Sequence, residues 1–279
     1  MYNYKSLKNV SYNEIAKCLN LAFSDYYLPI QLTEKELQTY FEMSGVDKQL
    51  SYGAFLDNQM VGFIFNSCNI YNKQKAVFDV GTGVIPEHRG NKVFTNLFKF
   101  TEQELQKHQI EKYYLEVLQQ NDKAISSYKK QGFTVTREFS ILKYSNHTEE
   151  TVNARMEYMD FIDFDLNKVS HCNCVEPSYE HSNNILKINP NFYSVAYRQK
   201  NNTISAFCIF SKEDGRILQL GYTDTVELKL IIQLLLIKFD NVVIKNIDIF
   251  YSEVLTLLHY MGFKEVSKQF EMVKSIYVN

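Results

Sequence analysis

The run Val84-Ile85-Pro86-Glu87-His88-Arg89-Gly90-Asn91-Lys92-Val93-Phe94 carries an apolar stretch through an Arg-Gly loop into a long amphipathic pattern. A loop entering a helix offers unpaired N–H groups and the positive end of the helix dipole, which together hold a phosphate. Further on, the segment from Asn121 to Phe133 contains Ser127 and places Tyr128 four residues before a Gly132-Phe133 pair. In a chain with 20 tyrosines, a buried core tyrosine is one fair reading of Tyr128. Asn121 is a preferred helix cap whatever else it does. Asp79 and Glu116 are possible proton acceptors or structural carboxylates, because strand alternation alone leaves open which face each one occupies. There is no nucleophilic Ser-His-Asp arrangement, no zinc-protease helix and no Walker-type loop.

The elements that must position these groups are legible locally. Tyr2 to Leu7 alternates like a short strand, and Ser11 with Glu14 marks a helix start ahead of Ile15, Cys18, Leu19, Ala22 and Phe23. Thr33 and Glu36 repeat that signal, and Ser44-Gly45 supplies a stop. Strands are expected at Tyr52 to Leu56, Met60 to Asn69 and Ala76 to Ile85, the first two joined by a tight Asp57-Asn58 turn. A helix from about Gly90 to His108 presents a broad apolar face. A strand at Tyr113 to Leu118, a helix at Asp122 to Gln131 and a strand at Phe133 to Tyr144 follow.

The order and spacing of the Arg-Gly loop and the Asn121 to Phe133 segment resemble the GNAT acetyltransferase superfamily. In that family the loop reads Gln or Arg, two variable residues, Gly, one variable residue, then Gly or Ala. Here Arg89 matches, while Lys92 and Phe94 occupy the two small-residue positions. The resemblance implies an α/β fold of two tandem GNAT-like domains, each a mixed central sheet flanked by helices. It implies acetyl-CoA as cosubstrate, held by Val84, Ile85, Arg89, Gly90, Asn91, Lys92, Val93, Phe94, Asn121 and Ser127, with Tyr128 as the catalytic acid. The reaction would be direct transfer of the acetyl group to a primary amine, on a small molecule or a peptide. Backbone amides near Val84 would position the carbonyl. Tyr26 and Tyr27 fall in a connection that lines the acceptor side of similar proteins. The departures at Lys92 and Phe94 keep open a noncatalytic acyl-CoA-binding sensor or structural partner.

The second half repeats the pattern without the equipment. Strands are expected at Asn191 to Gln199, Thr203 to Ser211 and Arg216 to Tyr222, separated by Asn201-Asn202 and Asp214-Gly215 turns. A helix at Val226 to Phe239, a strand at Val242 to Phe250, a helix at Ser252 to Tyr260 and a strand at Phe263 to Ile276 complete it. Met60 to Ile64 can be laid on Ile204 to Cys208, and Tyr128 to Phe133 on Leu258 to Phe263. Leu258 then replaces Tyr128, and no Arg-Gly loop precedes the Val226 helix. The expected division is a catalytic domain over 1–146, a connecting segment over 147–182 with a short helix near Ala154 to Tyr158, and a degenerate domain over 183–279.

Composition sets the outer limits. A chain of 279 residues, 45% apolar and 14% aromatic, can bury a sizeable core and favours two domains. Thirty basic against thirty-two acidic side chains, without a Lys/Arg cluster, argue against nucleic acid as a partner. The longest apolar run, Ile231 to Ile237, is broken by Gln233 and is too short to span a membrane. Met1-Tyr2-Asn3-Tyr4-Lys5 does not lead into a signal-peptide core, so a cytoplasmic location is expected. Five scattered cysteines fit free thiols in a reducing compartment. His171-Cys172-Asn173-Cys174 is a cluster of soft ligands without a second pair, and no metal is expected. The acceptor's identity and the oligomeric state are not readable from these residues.

Overall fold

The computed structural model describes residues 1–25, 30–145, 153–239 and 241–276. Tyr26 and Tyr27 lie outside the described residues. The chain folds into two compact units: Met1–Glu116 with Asp122–Thr134 and Met272–Asn279, and Val117–Asn121 with Val135–Glu271.

In the first unit, β1 (Asn3–Ser6) precedes α1 (Tyr12–Ala22) and α2 (Glu34–Ser44). The Ser11 side chain caps α1 by accepting from the Glu14 N–H, and Thr33 with Glu36 closes a full capping box on α2. Gly45, at φ 65°, ends α2 in the left-handed conformation that glycine tolerates best. Then come β2 (Tyr52–Leu56), β3 (Gln59–Tyr71) and β4 (Gln74–Val84), an antiparallel meander with β1 paired to β2. Asp57 and Asn58 both take positive φ, as a tight two-residue hairpin requires.

Next are α3 (Val93–Lys107), β5 (Lys112–Leu118) and α4 (Asp122–Lys130). Burial of Val93, Leu97, Phe98 and Leu105 packs α3 on the sheet, with Phe98 stacked on Tyr113 of β5. On the other face, Phe41 of α2 meets Phe65, which stacks on Phe63 at 4.2 Å. Residues 272–276 complete this unit. The Ile276 N–H donates to the Glu111 carbonyl, and the Lys274 ammonium donates to the Gln131 carbonyl while pairing with Glu102.

The second unit contains most of β6 (Thr134–Tyr144), then β7 (Glu157–Asp160), β8 (Asn173–Cys174), α5 (Asn183–Leu186), β9 (Tyr193–Lys200), β10 (Thr203–Ser211) and β11 (Ile217–Tyr222). It closes with α6 (Thr225–Lys238), β12 (Val242–Asp248), α7 (Ser252–Tyr260) and β13 (Lys264–Ser275), whose last residues belong to the first unit. Residues β9 to β11 form an antiparallel meander, and β12 pairs antiparallel with β6. Leu228, Ile231, Ile232 and Leu235 of α6 pack one face of this sheet. Phe161, Phe164, Val169 and Leu186 fill the other face, so the stretch between the repeats contributes core rather than only connection.

The helix expected near Ala154 to Tyr158 is absent. Glu157 to Asp160 instead form β7, paired with Tyr197 to Ser194 of β9, because hydrogen bonding along the edge of β9 outweighs local helix preference. The helix expected from Gly90 begins at Val93, for a reason that lies in the loop itself.

Candidate active site in the first unit

The central feature is where two strands stop pairing. β4 and β5 run parallel from Ala76↔Lys112 to Asp79↔Leu115, and their pairing ends there while β4 continues to Val84 against β3. Across β3 the register slips between Phe65↔Gly81 and Asn66↔Asp79, which leaves Val80 as a bulge. Because the Ile85 N–H donates to Val61, the antiparallel alternation turns the N–H groups of Val84 and Thr82 away from β3, toward the side β5 has left. The parting therefore exposes strand backbone that can hydrogen-bond an extended ligand.

At the mouth of the parting sits an acid pair. The Tyr128 hydroxyl, on α4, donates to Asp79 Oδ2 at 2.9 Å, and Thr82 Oγ1 donates to the same oxygen at 2.7 Å. Among the described residues, Asp79 Oδ1 is buried and has no partner. Burial pushes the Asp79 carboxyl up to about 6, against the opposing pull of hydrogen bonds from Thr82, Tyr128 and the Gly81 N–H. Behind it, Tyr113 is fully buried and donates to Asn66 Oδ1, whose amide donates in turn to the Leu50 carbonyl. Glu116 stands on β5 one residue past the last pair with β4.

Local physics fixes where Tyr128 stands on its helix. The Gly132 N–H donates to Lys129 and the Phe133 N–H to Tyr128, with Gly132 at φ 89°. This is a Schellman ending, and its usual apolar contact is the edge-to-face packing of Tyr128 on Phe133 at 5.5 Å. The Tyr-to-Gly-Phe spacing is thus a helix-stop geometry that also sets the tyrosine's height above Asp79. Phe94 packs edge-on against Tyr128 at 5.6 Å from the start of α3.

The loop leading into α3 behaves as a small-residue loop would. Lys92, at a position where the family has glycine, takes φ 57° and caps α3 in the left-handed conformation; its side chain is exposed and makes no cap hydrogen bond. This conformation delays the helix start to Val93. Gly90, at φ 79°, has open space where a Cβ would stand. The first-turn N–H groups of α3 have no intrahelical partners, so the loop backbone and helix end fit a pyrophosphate.

The remaining expected residues are placed differently. The Arg89 guanidinium is turned onto Asp25, the Ala22 carbonyl and the Val84 carbonyl. Asn91 reaches back to the carbonyls of His88 and Arg89. Ile85 is buried, with its N–H committed to Val61. Ser127 donates to the Lys123 carbonyl within α4. Asn121 belongs to the other unit, its N–H donating to Leu118. Sequence reasoning missed Thr82 and Asp25; neither lies in a recognisable motif, and only the fold brings them to Asp79 and Arg89.

The second unit carries the same scaffold with its features closed. α7 ends like α4, with Gly262 at φ 94° and the Phe263 N–H on the Leu258 carbonyl, but Leu258 is a fully buried core residue. Asp224 caps α6 by accepting from the Glu227 N–H, so a carboxylate stands at that helix start. β11 meets β12 only at Ile217↔Ile244, and the edge beyond is taken by β8, with the Val175 N–H donating to Leu220. His171 and Cys172 engage the Ile204 carbonyl, and among the described residues no group of three His, Cys, Asp or Glu is arranged to hold a metal. No described helix is long and apolar enough to cross a membrane.

A bulged fourth strand, its parting from the fifth and a phosphate-fitting loop before α3 are the features that this unit brings together. Residues 15–133 match the Acetyltransferase (GNAT) family. The whole chain shares the fold of a tandem GNAT protein from the clavulanic acid biosynthesis pathway, at TM-score 0.65 and 10% identity, covering 100% of both chains. It is similarly alike to a GCN5-related N-acetyltransferase from Sphaerobacter thermophilus, at TM-score 0.66 and 13% identity over 100% of this chain and 96% of that one. A GCN5-related N-acetyltransferase from Anabaena variabilis aligns at TM-score 0.64 and 11% identity, over 99% and 73%. No curated protein matches the sequence.

Proposed function

We propose that the first half is an N-acetyltransferase that takes acetyl-CoA as donor and a primary amine, on a small molecule or a peptide, as acceptor. The observation that carries this reading is the Tyr128–Asp79 pair at the parting of β4 and β5. The backbone of Gly90 to Phe94 and the first turn of α3 would hold the pyrophosphate, and the Val84 N–H faces the parting where an acyl carbonyl would lie. The bound donor supplies a thioester whose acetyl group passes to the amine and whose sulfur leaves as a thiolate. Tyr128 holds a proton at Oη within reach of the parting, where it can protonate that sulfur. Asp79, with Oδ1 unpartnered, can accept a proton from the amine when ionised, and Thr82 fixes which oxygen is left for the task. The second half, with Leu258 in place of the tyrosine and β8 on the open edge of β11, serves as a noncatalytic copy.

Calorimetric titration with acetyl-CoA, followed by thiol release in the presence of n-butylamine, tryptamine, spermidine, lysine and the tripeptide Ala-Gly-Gly, tests the reading. Tyr128→Phe should keep donor affinity and lower turnover by about 100-fold or more. Binding without turnover of any amine would instead favour an acyl-CoA sensor, and absence of binding would remove both.

A further inference from the structure

The Arg89 side chain has an assignment that its place in the loop does not predict. A guanidinium offers five N–H donors in a rigid fork. Here Nε donates to the Val84 carbonyl at 3.0 Å, Nη1 to Asp25 Oδ2 at 2.6 Å, and Nη2 to both Asp25 Oδ1 at 2.9 Å and the Ala22 carbonyl at 2.8 Å. One side chain thus bonds the last residue of α1, the residue three beyond it, and the last residue of β4. The cation also sits at the C-terminal end of α1, where the helix dipole favours positive charge. With Arg89 as its main cause, the Asp25 carboxyl is held below the ordinary carboxylate range.

The two faces of β4 separate the roles. A Cβ on Gly62 would touch Val84 and Val93, so Val84 lies on the α3 face. A Cβ on Gly83 would stand 3.1 Å from the Ala22 Cβ, so the end of α1 covers the opposite face directly. On that opposite face, the Tyr40 hydroxyl of α2 donates to the Val80 carbonyl at the bulge. Asn20 holds the returning chain by accepting from the Leu32 N–H and donating to its carbonyl, both at 2.9 Å. A donor lying on the α3 side would leave the other face of the open end of β4, at Gly83 beside Ala22, for its partner.

We propose that Arg89 is a positioning residue for the amine acceptor, clamping the end of α1 onto the open end of β4, and not a phosphate ligand of the donor. This rests on the acetyltransferase reading above. The Asp25 pair is about half exposed, at 44% and 53%, so it adds little stability; its effect is geometric. Lysine cannot reproduce a fork that spans a carboxylate and two carbonyls.

The test compares Arg89→Lys and Asp25→Asn with the unaltered chain. Three measurements are made: acetyl-CoA affinity by calorimetry, amide hydrogen exchange across residues 19–25, and kinetics with the fastest amine of the panel. Both variants should keep the acetyl-CoA Kd within about threefold and exchange faster at the end of α1. Both should raise the amine KM on the order of tenfold with kcat little changed, the pattern of lost acceptor binding. The proposal is overturned if Arg89→Lys alone weakens acetyl-CoA about tenfold with exchange unchanged, or if exchange rises while the amine KM stays put. If the unaltered chain binds no acetyl-CoA, or turns over no amine, the acetyltransferase reading fails and takes the proposal with it. Exchange in the variants would still report the clamp, which separates the two failures.

Discussion

Replacing Asp79 with Asn isolates the cost of keeping a charge at the strand parting. In the folded chain the carboxyl is raised from 3.8 to about 6, chiefly by burial. A group whose folded value is raised favours its protonated form, so its contribution to stability is fully present below pH 3.8 and is lost as pH rises through about 6. Two units of difference correspond to about 3 kcal/mol at pH 8. Asparagine is neutral and nearly isosteric, and its carbonyl can still accept from Tyr128 and Thr82. Asp79→Asn should therefore be more stable than the unaltered chain by up to about 3 kcal/mol at pH 8 and about equal near pH 4. Urea midpoints of both proteins between pH 4 and 8 measure this as a difference that opens through pH 6. A difference that does not change with pH, or a variant less stable at pH 8, would refute the burial argument. The same substitution should abolish the rise in acetyl transfer through about pH 6 that ionisation of Asp79 predicts.

Lys92→Gly removes a side chain from a left-handed position and should stabilise the first unit by about 1 kcal/mol, read as a rise of a few degrees in melting temperature. Acetyl-CoA affinity should fall less than about tenfold in that variant, because the loop backbone provides the phosphate contacts. Native mass spectrometry with acetyl-CoA should find one donor per chain, since β8 occupies the edge of β11 that would hold a second. Gly221→Ala places a Cβ near the Phe207 ring and 3.1 Å from Cys174 Sγ, and should destabilise the second unit by on the order of 1–3 kcal/mol in urea melts while leaving donor affinity unchanged.

Much of this architecture is local and was legible in the residues themselves. Caps at Ser11 and Thr33, positive-φ turns at Asp57-Asn58 and Asn201-Asn202, and the stops at Gly132 and Gly262 depend on neighbours a few positions away. The placing of Tyr128 before Gly132-Phe133 belongs to the same class, because a Schellman ending closes within six residues. The repeat was visible for the same reason, since α4 and α7, the last helix of each half, end alike.

What the sequence could not contain is partner choice. Tyr128 meets Asp79 across 49 positions and Arg89 meets Asp25 across 64, and neither pairing has a local signature. Lys92 reads as a departure from a small-residue pattern, yet the fold holds its backbone in a glycine's conformation. Strand propensity marked residues 133–144 and 263–276 without saying that most of the first would join the second unit, or that the end of the last strand would join the first. Alternation and β-propensity describe how a segment presents its faces; hydrogen-bond partners along its edges are chosen only when the whole chain buries its core. The sequence alone therefore determined the elements, the repeat and the family-like loop. Tertiary structure decided which carboxylate faces the tyrosine, where the arginine is spent and which cleft stays open.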